Sequence, residues 1–440
     1  MAKVNATSKM LKAVHTWRFL ASGSNVTLTP LYQWTTAALK AIQPRAAELW
    51  THLQEKAGIP RAEQNPPWFI DSADAIAGVI ADLNISPMQQ GKQTCHDVKQ
   101  LFTNIPHDDL LEKIDRLLEQ IWKMMAQVLG ERPVDVRLVV PRHKSDKNPE
   151  WITSRTIRRG TSSQRILTRE MLYDWVKKCV ENCHVRLGNV VLRQVTGIPM
   201  GANMSPFLSN LYLFTYELDF MEQFLPGIHG TEQTWDFFTR HFKHTVRYQD
   251  DRWTSSSKYI ARALSRRGWW GTDDASIVLS CSNRHPYRGI YPTQYLELTI
   301  EQEDELQVQH QDLYIVKANN ERAGSENRWI IRLYDRKSDP KLEKMRQYIV
   351  YYNQAETFLA DTCLYGVVYS ESRRMAMRCS VQVDFEAGVA RMLDRMLLLK
   401  YNKKKLAGQV TRFFSKFPAV YGRRSGKHIE ARMKAIIYAK

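Results

Sequence analysis

The sequence Val246-Arg247-Tyr248-Gln249-Asp250-Asp251-Arg252-Trp253 places two adjacent carboxylates between a tyrosine and apolar, β-prone residues. If the flanking residues form strands, Asp250 and Asp251 lie at the tip of a hairpin, on a stiff scaffold. Paired carboxylates on a rigid turn can bind divalent metal ions, and two such ions can clamp both oxygens of a phosphoryl transfer. Adjacent acids at a polar turn can also be simply solvated, so both interpretations stay open at this point.

Bulk composition narrows the class of partner. The 440 residues are 43% hydrophobic, enough for more than one core, and we expect two or three subdomains without wholesale disorder. The formal net charge of +17 suits a polyanion, because each phosphate that is neutralised releases condensed counterions. A nucleic acid is the first candidate for this partner, and an acidic membrane surface is the second. No uninterrupted apolar run of about eighteen residues occurs, which disfavours a membrane protein.

The six cysteines are scattered along the chain. Only Cys179-x-x-x-Cys183-His184 has spacing typical of metal ligands, and no second pair follows it. We interpret these residues as reduced cysteines in a helical core, which fits a reducing compartment such as the nucleus or an organelle like the mitochondrion.

Hydrophobic periodicity predicts one or two helices over 28–54, with an interruption at Pro44, and further helices over 72–83, 108–129 and 168–182. Strands are predicted near 95–102, in a hairpin over 185–195, and over 295–300 and 329–334. The polar segment 130–164 is predicted to be an insertion or mobile loop. Helices are predicted again from Leu342 onward.

A glycine-punctuated loop precedes an apolar helix. It reads Gln194-Val195-Thr196-Gly197-Ile198-Pro199-Met200-Gly201-Ala202-Asn203-Met204-Ser205-Pro206, with Ser205 as the expected N-cap and Pro206 at the first helical position. Residues without a Cβ let the backbone approach another group closely, so Gly197 and Gly201 could face a nucleotide or template base. A purely structural turn is the competing interpretation.

The last segment, 397–440, contains one acid, Glu430, and twelve Lys and Arg residues with interleaved aromatic side chains. This pattern predicts a packed helical module with one basic face, although a basic helix that is merely solvated would look the same.

Together, an isolated Asp97 at a strand end, the glycine-rich loop and the Asp-Asp hairpin resemble, in this order, the palm of reverse transcriptases. The likeness is greatest to Penelope-like retroelements and the related telomerase. Its most specific parts are Asp97-Val98-Lys99-Gln100-Leu101-Phe102-Thr103-Asn104-Ile105-Pro106 and Gln194-x-x-Gly197-Ile198-Pro199-Met200-Gly201.

The resemblance implies an α+β right-hand polymerase fold with fingers, an antiparallel palm sheet and a helical thumb. It places partial fingers at 1–90, the palm at 91–335 with an insertion at about 130–165, and a basic helical thumb at 336–440. Seventeen residues precede Arg18, so we expect short fingers.

Residue roles also follow from the resemblance. Asp97, Asp250 and Asp251 would be catalytic and, with the carbonyl of Val98, would bind two Mg²⁺ ions, for which Mn²⁺ can substitute. Asp97 and Asp250 form the principal pair, and Asp251 supports them. Arg18 is expected to contact the triphosphate, and Phe102 the sugar. Met200 and Gly201 would contact the nascent base pair. The template or primer would be contacted by Gln194, Tyr248 and Lys337. Phe102 could instead be a core residue.

The activity implied is that of an RNA-directed DNA polymerase acting on dNTPs, with an RNA template and a DNA primer as partners and no membrane. Met200 stands where retroviral enzymes usually carry Gln, which narrows the group to the Penelope-like pattern. Gly289-Ile290-Tyr291 has no partner motif for a nuclease module. The alternative is a domesticated nucleic-acid-binding protein of the same fold with little or no synthesis.

Overall fold

The structure, a computed structural model of the chain, mixes helices with largely antiparallel sheets. It describes residues 2–9, 16–22, 27–85, 92–141, 148–156, 164–187, 189–224, 242–255, 290–292, 294–320, 325–335, 351–422 and 425–439. Contacts group the chain into two compact units, residues 1–69 with 96–301 and residues 70–95 with 302–440. The mixed α+β class is confirmed, while the division into fingers, palm and thumb stays a prediction.

The described helices and the described strands are each numbered in chain order. The helices are α1 (Thr29–Lys56), α2 (Ile76–Ile85), α3 (Leu101–Asn104), α4 (His107–Leu129), α5 (Arg169–Glu181), α6 (Ser205–Phe224), α7 (Asp361–Arg378), α8 (Gln382–Leu398), α9 (Lys403–Lys416) and α10 (Ser425–Ala439). The strands are β1 (Ala2–Lys9), β2 (Thr16–Ser22), β3 (Gln93–Lys99), β4 (Val136–Pro141), β5 (Glu150–Thr153), β6 (Gln164–Leu167), β7 (His184–Leu187), β8 (Val190–Arg193), β9 (Thr245–Tyr248), β10 (Asp251–Thr254), β11 (Glu297–Asp304), β12 (Gln307–His310), β13 (Leu313–Asn320) and β14 (Ser325–Leu333).

The first unit is built from helices around one core. α4 buries Leu110, Ile114, Leu117 and Ile121, which recur every three or four residues and so lie on one helical face. α1 runs unbroken through Pro44. Proline removes a backbone hydrogen bond within a helix, but side chains on both sides of Pro44 are buried in the core, so packing maintains the helix. The interruption expected there is therefore wrong.

Sheets accompany these helices. In one, the order is β2-β1-β7-β8, with β1 and β2 antiparallel, β1 and β7 parallel, and β7 and β8 forming the predicted hairpin. A second has the order β11-β3-β10-β9 and carries the acids discussed below.

The segment predicted as an insertion or mobile loop is partly a sheet. β4 pairs antiparallel with both β5 and β6. Val136, Leu138 and Val140 alternate along β4 and are fully buried, and the indole of Trp122 in α4 donates to the carbonyl of Val136. This alternation buries one face of the strand against α1 and α4, so the prediction of a loop was wrong for the described residues.

The second unit combines the antiparallel sheet β12-β13-β14 with α2 and the four C-terminal helices. The side chain of Asn84 in α2 bonds both backbone groups of Trp329 in β14. The start expected near Leu342 lies outside the described residues. Residues 351–360 are not helical, and the helix that follows them begins at Asp361. α7 to α10 share a buried apolar core, as expected for a packed helical module. Among the described residues, no helix has the length and apolarity needed to cross a membrane.

Candidate active site

The hairpin predicted around the two acids is present. β9 and β10 pair antiparallel with Tyr248 opposite Asp251, so Gln249 and Asp250 form a two-residue turn. Gln249 has φ of 56°, a left-handed conformation that is costly for a residue with a side chain and is frequent at functional sites. Asp250 therefore lies in a tight turn, and Asp251 begins the second strand.

Asp97 lies in the neighbouring strand. β3 is adjacent to β10 in the sheet, and the amide of Val98 donates a hydrogen bond of 3.1 Å to the carbonyl of Asp250. Side chains alternate between the faces of a strand. Val98 is accordingly buried, whereas Asp97 is partly exposed. The structure thus brings Asp97 next to the turn that carries Asp250.

The electrostatics of Asp251 reflect its burial and the other acids near it. Burial, together with the nearby charges of Asp250, Asp97 and Glu301, raises the pKa of Asp251 to about 7. Like charges at short range disfavour the ionised form of each member. Glu301 was missed by the sequence analysis, because only the sheet order reveals that its strand, β11, lies beside β3.

The chemistry of this donor set suits a divalent cation. Carboxylates are hard oxygen ligands of the kind that Mg²⁺ and Mn²⁺ prefer. In the described part of the chain, no group of three or more His, Cys, Asp or Glu side chains is arranged to hold a metal ion. Proteins usually bind Mg²⁺ through one or two carboxylates plus substrate phosphates, without a closed protein cage. Asp97 and Asp250 fit such an open site.

The cysteine pair noted in the sequence belongs to the core. Cys179 and Cys183 are buried, and the hydroxyl of Thr35 lies 3.6 Å from the sulfur of Cys179. Burial raises the pKa of Cys179 to about 12. Because the thiolate is the form that binds metal, these residues are better explained as packed thiols, as predicted.

The glycine-rich loop docks on the residues that follow Asp97. The amide of Gly197 donates to the carbonyl of Ile105, and the amide of Ile198 donates to that of Phe102, both at 2.7 Å. Gly197 has φ of 81°, and a Cβ there would lie 2.4 Å from the carbonyl oxygen of Phe102. The close approach at Gly197 is therefore to the protein backbone and not to a nucleotide. The structural-turn interpretation is the correct one for this glycine.

Gly197→Ala is expected to lower the free energy of unfolding by about 2–4 kcal/mol, from backbone strain plus a steric clash. Gly58→Ala is the matched control, since Gly58 has φ of 79° but no atom within 4 Å of the added Cβ. It should cost about 1 kcal/mol, from strain alone. Urea unfolding of both variants measures the difference, and equal losses would contradict the proposed clash.

The start of α6 differs in detail from the prediction. The hydroxyl of Ser205 donates to the carbonyl of Pro199 at 2.6 Å. This bond joins the start of the helix to the glycine-rich loop, whereas an N-cap side chain would accept a bond from a helix amide. Ser205 is fully buried. Met200 is half-buried and Gly201 exposed. The side-chain amide of Gln194 donates to the carbonyl of Thr196 at 3.0 Å.

The other residues predicted to contact substrate, template or primer differ in how far the structure describes them. Phe102 is partly buried against the core of the first unit, and Tyr248 is half-buried beside the turn. Arg18 lies in β2, for which only the backbone is described. Lys337 lies outside the described residues. Their functional roles stay predictions.

The basic face predicted for the C-terminal helices is visible on α9. Lys404, Arg412 and Lys416 are exposed, whereas Phe413 and Phe414 of the same helix are buried. The aromatic residues interleaved with the basic ones therefore build the helical core, and the cations face outward.

No protein-family model and no curated protein matches the sequence. Among solved structures, the chain is similar to a telomerase chain from Candida albicans in complex with the TWJ fragment of telomeric RNA, with 10% identity and a TM-score of 0.49. The match covers 100% of this chain and 62% of that one. Apo telomerase from Candida tropicalis matches with 10% identity and a TM-score of 0.39, over 99% of this chain and 62% of that one. The telomerase from Candida tropicalis in complex with the same type of fragment matches with 9% identity and a TM-score of 0.38, over 99% of this chain and 61% of that one.

The chain thus spans about three fifths of the telomerase chains that it matches. All these TM-scores are below 0.5, so the likeness by itself does not establish a function.

Proposed function

We propose that the chain is an RNA-directed DNA polymerase of the Penelope-like and telomerase-related group, which extends the 3′-hydroxyl of a primer with dNTPs. One observation carries the proposal, namely that Asp97 in β3 lies beside the turn that carries Asp250, with the Val98 amide bonded to the Asp250 carbonyl and Asp251 at the start of the adjacent strand β10. Strands hold such groups more accurately than loops do. A protein that only binds nucleic acid has no need of acids placed close to one another beside one turn.

Two Mg²⁺ ions, or Mn²⁺ in their place, would be held by Asp97 and Asp250, with the carbonyl of Val98 as a further ligand and Asp251 in support. Bound ions of this kind stabilise the attacking and leaving oxygens of a phosphoryl transfer. The contribution of the chain itself is to hold the carboxylates at fixed positions before substrate arrives. The raised pKa of Asp251 agrees with an acidic cluster that a bound cation would neutralise.

Substrate contacts are proposed for residues around this centre. Arg18 would pair with triphosphate oxygens, because a guanidinium can contact two oxygens at once. Met200 and Gly201 would line the nascent base pair, and Gln194 the template. Tyr248, which lies beside the turn, and Lys337 would contact the template or primer. Loss of extension at low dNTP concentration in Arg18→Ala, with recovery at high concentration, would support the first of these contacts.

Phe102 is proposed to lie under the sugar, where its ring excludes a 2′-hydroxyl. Phe102→Val is then expected to raise incorporation of rNTPs relative to dNTPs by about tenfold, the equivalent of ~1.4 kcal/mol. Phe207→Val is the matched control, since Phe207 is also partly buried against the same core. Competition between rNTP and dNTP in primer extension measures the ratio, and equal ratios in both variants would remove Phe102 from this role.

An RNA template and a DNA primer are the proposed partners. The net charge of +17 and the exposed cations of α9 provide a surface for phosphates. The telomerase of Candida albicans was solved in complex with the TWJ fragment of telomeric RNA. For the present chain, binding of RNA is a proposal.

Primer extension on poly(rA)/oligo(dT) with dTTP and Mg²⁺ or Mn²⁺ tests the proposed activity. Incorporation that requires both the RNA template and the cation would support it. Tight binding of the duplex without incorporation would contradict it and favour the alternative, a nucleic-acid-binding protein that has lost synthesis.

A further inference from the structure

Arg247 lies in the hairpin that carries the acids, three residues before Asp250, and it is completely buried together with Glu217 of α6. Its guanidinium has five N–H groups, and the structure gives each an acceptor. Nε and Nη2 bond the two carboxylate oxygens of Glu217 at 2.5 and 3.2 Å. The others reach the side chain and carbonyl of Asn210 at 2.7 and 3.2 Å, and the carbonyl of Gln249 at 3.2 Å.

Four of these five hydrogen bonds go to two residues of α6, Asn210 and Glu217. Asn210 and Glu217 are seven residues apart and therefore lie on the same face of the helix, two turns from each other. Tyr291 completes the set, because its hydroxyl donates to Glu217 at 2.5 Å. Burial alone would lower the pKa of Arg247, but the charge of Glu217 outweighs it and raises that pKa, so the residue stays a cation.

The fifth bond of Arg247 reaches the turn itself. The carbonyl of Gln249 belongs to the peptide group that continues into Asp250, and Gln249 has the unusual φ of 56°. A backbone conformation of this kind persists only where its surroundings determine it strongly. Arg247 thus fixes the peptide plane that sets the direction of the Asp250 backbone.

The arginine across the hairpin behaves differently. Arg252 is directly opposite Arg247 and is also buried, but its guanidinium stacks 4.3 Å from the ring of Trp68. Within the described part of the chain, Nη1 of Arg252 donates a hydrogen bond of 3.4 Å to the hydroxyl of Tyr291. Nε and Nη2 of Arg252 have no hydrogen-bond partner within the described residues. Arg247 is therefore the arginine with a bond to the turn.

We infer that Arg247, held by Glu217 and Asn210, is a positioning residue that sets the placement of the Asp250 carboxylate for cation binding. The inference rests on the proposed function in that Asp250 is taken as a metal ligand. Groups that orient the ligands of a metal typically change its affinity by about 10- to 100-fold when they are removed.

Arg247→Lys tests this role in the full-length chain. Lysine keeps the positive charge beside Glu217, but its single nitrogen cannot reproduce the planar fork that joins Glu217, Asn210 and Gln249. Mn²⁺ binding, followed by electron paramagnetic resonance without nucleic acid or dNTP, is expected to weaken at least tenfold. Asn210→Ala removes one acceptor without leaving a charge unpaired and is expected to weaken binding about threefold or more.

Ser209→Ala is the matched control, since Ser209 is a buried neighbour on α6 whose hydroxyl donates to the carbonyl of Pro206 within its own helix. If Asn210→Ala weakens Mn²⁺ binding while its melting temperature equals that of Ser209→Ala, the positioning role is supported. Wild-type Mn²⁺ affinity in both Arg247→Lys and Asn210→Ala would overturn it.

The same measurements separate this inference from the polymerase activity. Weakened Mn²⁺ binding in the variants of a chain that fails to extend primers would contradict the proposed function and leave the positioning role standing. Unchanged Mn²⁺ binding in the variants of a chain that extends primers would overturn the positioning role alone. Where extension occurs, a positioning role also predicts a lower kcat with little change in KM for dTTP.

Discussion

Asp250→Asn is expected to reduce primer extension by about three orders of magnitude, the equivalent of ~4 kcal/mol of transition-state stabilisation. The amide keeps the size of the side chain but removes the charge that would hold a cation. The backbone carbonyl of Asp250 still accepts the bond from the Val98 amide, so the fold should persist. Single-nucleotide incorporation, measured at saturating Mg²⁺ and dTTP, gives the rate.

Two further variants make this result specific. Asp97→Asn should produce a loss of the same order, whereas Asp251→Asn should produce a smaller loss, because Asp251 is proposed to support the other two. Asp108→Asn is the control, an exposed acid in the first turn of α4, and it should leave the rate unchanged. Extension at the wild-type rate by Asp250→Asn would remove this residue from the catalytic centre.

Glu217→Ala is expected to lower the free energy of unfolding by about 3–5 kcal/mol, because it leaves the buried charge of Arg247 without its counterion. Neither side chain is accessible to water in the folded chain. Hydration therefore cannot replace the lost interaction. Urea unfolding followed by circular dichroism measures the change.

The matched control lies on the same helix. Glu222 is also ion-paired, but its partner Arg116 is half exposed, so Glu222→Ala should cost no more than about 1 kcal/mol. The double variant Glu217→Leu with Arg247→Met should be less destabilised than Glu217→Ala, since it removes both buried charges together. A cost for Glu217→Ala as small as that for Glu222→Ala would show that the pair is hydrated.

Local patterns in the sequence were sufficient where one segment determines its own structure. The alternation around Asp250 predicted the β9-β10 hairpin, and the pattern of residues 185–195 predicted the antiparallel pairing of β7 with β8. The same reasoning found the strand of Asp97 and the glycine-rich loop that precedes α6. In each case the signal lies within about ten neighbouring residues.

Contacts between distant segments could not be predicted in this way. Glu217 and Arg247 are thirty residues apart, and nothing local distinguishes a buried charge from a solvated one. Gly197 was recognisable as a special position, but only the folded chain shows that its close neighbour is the carbonyl of Phe102. The sheet β5-β4-β6 was missed because its strands are short and lie within a polar segment, and because β4 finds its buried surface on α1 and α4.

The position of α6 also bears on motion. This 20-residue helix, about 30 Å long, begins at the glycine-rich loop, and its side chains at 210 and 217 hold the hairpin of the acids. A packed helix of this length behaves as a stiff rod on the timescale of loop motion. The loop and the turn are therefore attached to the same helix, and we expect them to move together in any opening or closing step of a reaction cycle.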